Sequence, residues 1–568
     1  MSDLGAAIES RLEAFRDDRV AERLWAKDGT LWAASGKAPG DVARWLGWLD
    51  LPEATSARIT ELEHLARDVR EDGYRRAAVL GMGGSSLAPE LFSRVFGWAG
   101  GADGSGAASP DGLELRICDS THPDAVRGFR SWASEQRTLF MVSSKSGTTT
   151  EPLAFHAAMS EVAPALDFIA ITDPDTALVD LARAQEFRAI VSAPPDVGGR
   201  YSAISVFGLV PAALNGVDLG GLLGAARRMA EACQSTDSAT NPGLRLGAFI
   251  GEAAVAGRDK LTLVIDDRLA AFGDWAEQLV AESTGKAGTG IVPVVGEPLR
   301  DADAYGNDRC FVRIRLAGEH DPQLDELAGA LESRGHAVER IELDDPIAVG
   351  GEFVRWEVAT AVAGIVLGID PFDQPNVTES KDATTALLEA FRERGALPQA
   401  MPVVSEPGLA VSADPEAIGD TPVSVDGALA QLLGLARPGV DYIAILAYLP
   451  KDAAIEQRLQ AIRHRIGEAT GAATTLGFGP RFLHSTGQLH KGGPDTGVFL
   501  QLTADPVKDL PIPGWSESFG TLIAAQALGD LASLQKRGRR ALRLHLDDVE
   551  AGMDRLEAMV GTGVGAVP

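Results

Sequence analysis

The stretch MVSSKSGTTTEPLAFHAAM (residues 141–159) places six small, hydroxylated or cationic residues, Ser144 to Thr149, between two apolar runs. TLFMVSS (138–144), which overlaps its start, is apolar and partly β-branched, so it reads as a buried strand. Pro152 suits the first turn of a helix, and LAFHAAM continues it at helical spacing. Between the two the chain must turn sharply, with Gly147 and the hydroxyls in the turn. A helix N-terminus offers unpaired N–H groups and a positive dipole end, which favour an anion. Lys145 adds a charge, and Ser144, Ser146, Thr148 and Thr149 add donors, a set suited to a phosphate. On this segment alone the alternative is a Ser/Thr-rich capping turn with an exposed lysine.

The same strand–turn–helix rhythm runs outward in both directions. RAAVLGMGGSSLAPELFSRVFG (76–97), LELRICDSTHPDAVRGF (113–129) and LDFIAITDPDTALVDLARA (166–184) repeat it. After PGLRLGAFIG (242–251), a second set opens with KLTLVIDDRLAAFGDWAEQLVAEST (260–284) and continues through CFVRIRL (310–316) and HAVERIEL (336–343). From about residue 400 a third region follows, with YIAILAYLPKDAAIEQRLQAIRHRIGEATG (442–471), TGVFLQLTAD (496–505) and SFGTLIAAQALGDLASLQKRG (518–538). Such alternation predicts α/β domains with parallel sheets and ligands at the carboxyl ends of strands. The expected division is a mainly helical segment at 1–65, α/β domains at 66–240 and 241–398, and an α/β region at 399–568. AGGADGSGAASPDG (99–112) reads as a low-complexity surface loop.

Bulk properties exclude several function classes. The 568 residues are 45% hydrophobic and 23% charged, ordinary for a globular chain. The net charge of −28 argues against nucleic acid as a partner, because a phosphate polymer would be repelled. Any small anion must be held by local residues against that field. No apolar run is long enough to span a bilayer, and the charged amphipathic start MSDLGAAIESRLEAFRDDR is unlike a signal peptide. Three scattered cysteines, Cys118, Cys233 and Cys310, fit a reducing cytoplasm better than a disulfide framework. There is no CxxC pair and no HExxH spacing, so no metal site is expected.

The remaining candidates are individually weak. GMGGSSLAPEL (81–91) has Ser86 where a GxGxxG fingerprint needs its third glycine, and the chain has no Walker A sequence, which disfavours nucleotides. Taken alone it reads first as a tight strand-to-helix turn. In VGGRYSAISVFGLVPAALNG (197–216), Arg200 is placed to stabilise an oxyanion or to pair with an acidic neighbour. In WAEQLVAESTGK (275–286), Gln278 and Glu282 are four apart and share a helical face. Burial at that helix end would suit Glu282 to act as a base, whereas exposure would leave it an ordinary surface acid. FDQPNVTESK (372–381) and FLHSTGQLHKGG (482–493) supply Lys381, His484 and His490 in loop-like settings.

Taken in order, these segments resemble the phosphoglucose isomerase family of the sugar-isomerase (SIS) fold. GMGGSSLAP is similar to that family's GIGGS turn, SSKSGTTTEP to its SKTGTTxET phosphate loop, and GGRYSAIS to its GGRFS arginine loop. QLVAESTGK resembles the QxxxESxGK segment that carries the catalytic Glu, and FDQPNVTESK the FDQxGVExxK segment. The histidine motif departs from the common order. No histidine stands between the Glu and Lys segments, and the match, LHSTGQLHKGG, follows Lys381 by about a hundred residues. That order resembles the isomerase portion of transaldolase–phosphoglucose isomerase fusions, although no transaldolase half is recognisable here.

The resemblance implies two SIS-type doubly wound domains and a C-terminal α/β region that enters the active site. It implies Glu282 as the base moving a proton between C1 and C2 through a cis-enediol(ate), and Arg200 as the partner of the developing negative charge. His484 and Lys381 would open the sugar ring, with His490 the competing histidine. Gly84, Ser85, Ser144, Lys145, Ser146, Thr148 and Thr149 would hold the phosphate, while Gln278, Gln374 and Gln488 would contact the rest of the substrate. No metal or cofactor enters the scheme. The partner implied is a small phosphosugar, and a cytoplasmic homodimer is expected. Whether His484 serves its own subunit or a partner stays open, as does activity on mannose 6-phosphate. A non-catalytic sugar-phosphate sensor would need the hydroxyl loop but not Glu282, Arg200, Lys381 and His484 together.

Overall fold

The computed structural model describes residues 2–97, 112–398, 401–419 and 421–563. Of the glycine-rich loop expected at 99–112, residues 99–111 lie outside the described residues. The segment before residue 72 is helical throughout its regular elements, as its composition predicts.

The first sheet consists of β1 (Arg76–Gly81), β2 (Glu114–Cys118), β3 (Thr138–Ser143), β4 (Phe168–Thr172) and β5 (Ala189–Ser192). Its order is β2-β1-β3-β4-β5, and every pairing is parallel. The chain leaves β1 towards β2 on one side and returns as β3 on the other. The crevice between the carboxyl ends of β1 and β3 is therefore a topological switch point, where open α/β sheets bind ligands. Gly81 pairs with Ser143 in register, so the glycine turn after β1 and the hydroxyl loop after β3 emerge side by side.

The second sheet is also parallel, in the order β7-β6-β8-β9, from β6 (Lys260–Ile265), β7 (Val292–Val294), β8 (Arg309–Leu316) and β9 (Ala337–Leu343). The helix Pro242–Val255 lies against the long helix Val349–Leu367 at close range. The reason is visible in the spacing. Gly243, Gly247 and Gly251, four residues apart, face Val358, Val362 and Val366, and a methyl group on any of the three would come within 3 Å of them.

The third sheet departs from the all-parallel expectation. It runs β10-β11-β15-β14-β12-β13, from β10 (Val404–Glu406), β11 (Leu409–Ala413), β12 (Tyr442–Tyr448), β13 (Ala473–Phe478), β14 (Gly497–Ala504) and β15 (Arg540–Leu546). The first two strands are antiparallel and extend a parallel four-stranded core at its β15 edge. They are short and carry polar residues, so no periodicity marked them in advance.

Two apolar layers bind this third region to the others. Tyr442, Ala444, Leu446 and Phe482 pack with Ala281, Val292 and Val294 of the second sheet's region. Phe519, Leu522 and Ala525 pack with Phe140, Phe155 and Leu388 against the first sheet. Each such fully buried large side chain contributes ~1.5–3 kcal/mol, so the third region is anchored rather than appended.

One buried group carries a stability prediction. Glu357, in the helix Val349–Leu367, has no exposed surface, and neither carboxyl oxygen has a hydrogen-bond partner. Burial pushes its carboxyl well above the ordinary value of 4.5. The folded chain then keeps a proton that the unfolded chain releases, so stability is full below about pH 4.5 and falls as pH rises, by up to ~1.4 kcal/mol per unit. Glu357→Gln should remove that slope. Urea midpoints of the two proteins should diverge between pH 5 and pH 8, with the variant the more stable at the higher value; parallel profiles would show that Glu357 is ionised in the fold.

Candidate active site

The glycine turn after β1 packs against the arginine loop and the His484 segment at distances that leave no room for a side chain. Gly83 sits in the left-handed region at φ +56°, and a Cβ there would meet the Gln278 amide at 2.7 Å and the His484 carbonyl at 2.9 Å. A Cβ on Gly84 would lie 2.0 Å from the carbonyl oxygen of Gly199, in the arginine loop. Gly84→Ala must force those loops apart. We expect kcat/KM for the proposed reaction to fall by ~10²-fold, since displacement of reacting groups by about 1 Å has that effect. Wild-type kcat/KM and unfolding would mean that the loops separate freely.

Arg200 is 2% exposed and every nitrogen of its guanidinium donates to a named acceptor. Nε reaches Ser283 Oγ (2.7 Å), and Nη1 reaches Glu282 Oε1 (3.1 Å) and Gln374 Oε1 (2.5 Å). Nη2 donates to the carbonyls of Pro371 (2.6 Å) and Asp373 (3.1 Å). Of the two alternatives for Arg200, pairing with an acidic neighbour is the one seen, and that neighbour is Glu282. Glu282 is buried near the end of the helix Ala270–Thr284, and its other oxygen accepts from Gln278 Nε2 at 3.1 Å across one turn. Gln278 also donates to the backbone carbonyl of His484 at 2.7 Å. Lys286 braces the same corner by donating to the Asp370 carbonyl (2.8 Å) and Asp373 Oδ1 (2.9 Å). Burial, with the nearby charge of Arg200, lowers the Lys286 ammonium to about 8.

Beside this cluster lies a cavity of ≈170 Å³ whose lining includes Thr148, Thr149, Glu151, Lys381, His484 and Gln526. His484 Nε2 is 3.1 Å from Glu151 Oε1. Burial would raise the Glu151 carboxyl, but the charge and hydrogen bond of His484, the local backbone N–H and the charge of Lys381 hold it below its ordinary value. Lys381 stands exposed on the rim. In the hydroxyl loop, Gly147 takes φ +68° against Thr176, Ser144 Oγ donates to Thr149 Oγ1 (2.9 Å), and Ser146 and Thr148 bond each other (3.0 Å). Lys145 Nζ donates to Asp173 Oδ2 at 2.5 Å and to the Pro195 carbonyl at 3.2 Å. An incoming phosphate would compete with Asp173 for this ammonium. Ser85 is buried in the short turn Gly83–Ser85.

Of the residues expected from the sequence, Thr148, Thr149, Lys381 and His484 line this cavity, and two others, Gln488 and His490, are committed to partners elsewhere. Gln488 is fully buried; its amide nitrogen donates to Gly285 O (2.9 Å) and Asn376 Oδ1 (2.8 Å), and its oxygen accepts from Asn376 N (2.8 Å). It braces the start of the Lys381 helix and has no face left for a substrate. His490 is buried among Tyr442, Phe482 and Phe499, and burial, with the charges of Lys491 and Arg539, keeps its imidazole neutral. Sequence reasoning passed over Glu151 and Asp173. Glu151 lies within the opening stretch, but an acid in the first helical turn reads as an ordinary complement to the dipole. A larger cavity of ≈410 Å³, whose lining includes Asp274 and Glu277 of the Ala270–Thr284 helix with Glu90 and Arg481, holds none of the residues picked from sequence.

No protein-family model matches the chain. It is 28% identical over 417 residues to a glucose-6-phosphate isomerase of Carboxydothermus hydrogenoformans, aligning 61% of this chain with 86% of that protein. It is likewise 28% identical over 430 residues to a glucose-6-phosphate isomerase of Rubrobacter xylanophilus, covering 67% and 95%. Among solved structures, a hypothetical protein of Thermus thermophilus superposes with TM-score 0.55 at 22% identity, over 68% of this chain and 98% of that one. A glucose-6-phosphate isomerase from Chlamydia trachomatis gives TM-score 0.51 at 17% identity, over 68% and 86%. These likenesses bear out the resemblance read from the motifs and the parallel-sheet α/β fold that it implies.

Proposed function

We propose that this chain, a relative of glucose-6-phosphate isomerases, reversibly interconverts glucose 6-phosphate and fructose 6-phosphate. The observation that carries the reading is the junction of two clusters through Gln278, which bonds both the Glu282 carboxylate and the backbone of His484. One cluster suits proton transfer and the other ring opening.

Each step then falls to a group already in place. The hydroxyl loop and Lys145 hold the phosphate, assisted by Gly84 and Ser85, and so orient the sugar. His484 and Lys381 at the cavity move the proton of the ring-opening step. Glu282 carries the proton between C1 and C2, and Arg200 stabilises charge on the enediolate oxygens. Gln278 and Gln374, bonded to that pair, would contact substrate hydroxyls, as the resemblance implies. His484 bonds Glu151 of its own chain, which supports its acting within its own subunit. A homodimer in the cytoplasm completes the reading, supported by likeness to the family.

The test is conversion of fructose 6-phosphate by purified protein without added metal, read through a dehydrogenase specific for glucose 6-phosphate. Turnover is expected. Binding of the sugar phosphate without turnover would replace the isomerase with a sensor.

A further inference from the structure

We infer that Gln526, in the helix Phe519–Lys536 of the third region, is a positioning residue that holds His484 in its ring-opening geometry by way of Glu151. The inference rests on the isomerase reading above.

Gln526 is 2% exposed, and its Nε2 donates to Glu151 Oε1 at 2.7 Å. The same oxygen receives His484 Nε2 at 3.1 Å. At its other end, the Gln526 carbonyl oxygen accepts from Thr121 Oγ1 at 2.7 Å, and Thr121 is fully buried. The orientation of each member follows from donor and acceptor chemistry. Glu151 is held ionised, and an ionised carboxylate only accepts. The amide must therefore turn its NH₂ towards Glu151 and its oxygen towards Thr121, whose hydroxyl then donates. The imidazole must carry hydrogen on Nε2, which leaves Nδ1 as the ring nitrogen free to work on the sugar.

Two donors converging on one carboxylate oxygen fix that oxygen more firmly than the histidine alone. Hydrogen bonds to a buried charge are among the strongest a protein makes. Without the Gln526 donor, Glu151 loses one of its two side-chain donors, and the imidazole loses the fixed point that sets its plane. Packing does not depend on the amide. Phe519, Leu522 and Ala525 of the same helix supply the apolar contact with the first sheet. Thr121 lies just beyond β2 and Glu151 opens the helix after β3, so Gln526 ties both to a helix some four hundred residues on.

Ring opening and proton transfer can be read separately. Opening and reclosing the ring exchanges the α and β anomers of glucose 6-phosphate without any proton moving between C1 and C2. In a Glu282→Gln parent, anomer exchange followed by NMR should persist while isomerisation is lost. Adding Gln526→Met, which keeps the volume but has no donor, should slow that exchange by about 10-fold or more. Substrate affinity should stay close to the parent's, and the thermal midpoint should fall modestly because buried Thr121 loses its acceptor. Thr121→Val should act in the same direction with a smaller effect, and it decides the matter if the Met variant does not fold. Unchanged exchange in the variants would overturn the inference, as would a loss confined to affinity or tracking the thermal midpoint. So would an isomerising wild type whose Glu282→Gln form has no exchange at all. A wild type that neither isomerises nor exchanges anomers would overturn the isomerase reading itself.

Discussion

Glu282→Gln should lower kcat for fructose 6-phosphate by ~10²–10⁴-fold, the contribution of a well-placed general base, with little change in KM. The substitution is nearly isosteric. The amide oxygen can still accept from Arg200 Nη1 or Gln278 Nε2, which now bond the two carboxylate oxygens at 3.1 Å each. What disappears is the ability to take a proton from carbon and return it to the neighbouring carbon. The measurement is steady-state turnover with a thermal scan beside it, so that loss of chemistry is separated from loss of fold. Equal turnover in both proteins would remove Glu282 from the reaction and leave its burial without a functional reason.

Arg200 should show the largest combined effect, on stability and on rate. Arg200→Met deletes the donors to Ser283, Glu282, Gln374, Pro371 and Asp373 at once, and leaves a buried carboxylate without its cation. Breaking one side of such a pair destabilises by ~3–5 kcal/mol. Arg200→Lys separates the two roles. A lysine keeps the charge but has three donors on one atom, where the arginine spreads its donors across a plane. It cannot reach the Glu282 side and the 371–374 loop together. We expect the lysine variant to fold with a smaller stability loss and to lose ~10²–10³-fold in kcat, the effect of removing one oxyanion donor. A lysine variant with wild-type kcat would show that Arg200 serves the scaffold alone.

Both expectations draw on residues that local sequence could nominate but not assemble. Strand, turn and helix were legible because their signals are short-range. Apolar runs of five or six residues, a proline in a first helical turn and glycines at tight turns report their own backbone. The Gln278–Glu282 contact belongs to the same class, since one helical turn makes it. The antiparallel strands β10 and β11 were missed because they are short and lack an apolar repeat. Gln488 and His490 were nominated by motif, yet their partners, Asn376 and the aromatic ring cluster, are set by packing that spacing does not report.

By itself, then, the sequence determined the α/β rhythm and the hydroxyl-rich turn at a helix N-terminus, and it nominated the acid, the cation and the histidine. Only the tertiary structure decided that His484 meets Glu151 across 333 residues and that Gln526 meets it across 375. It also decided that Lys145 rests on Asp173 and that Arg200 and Glu282 face each other. The physical reason is one of range. Backbone preferences act over a few residues, whereas these contacts exist only once separate elements have packed, the apolar faces of the third region bringing His484 and Gln526 to Glu151.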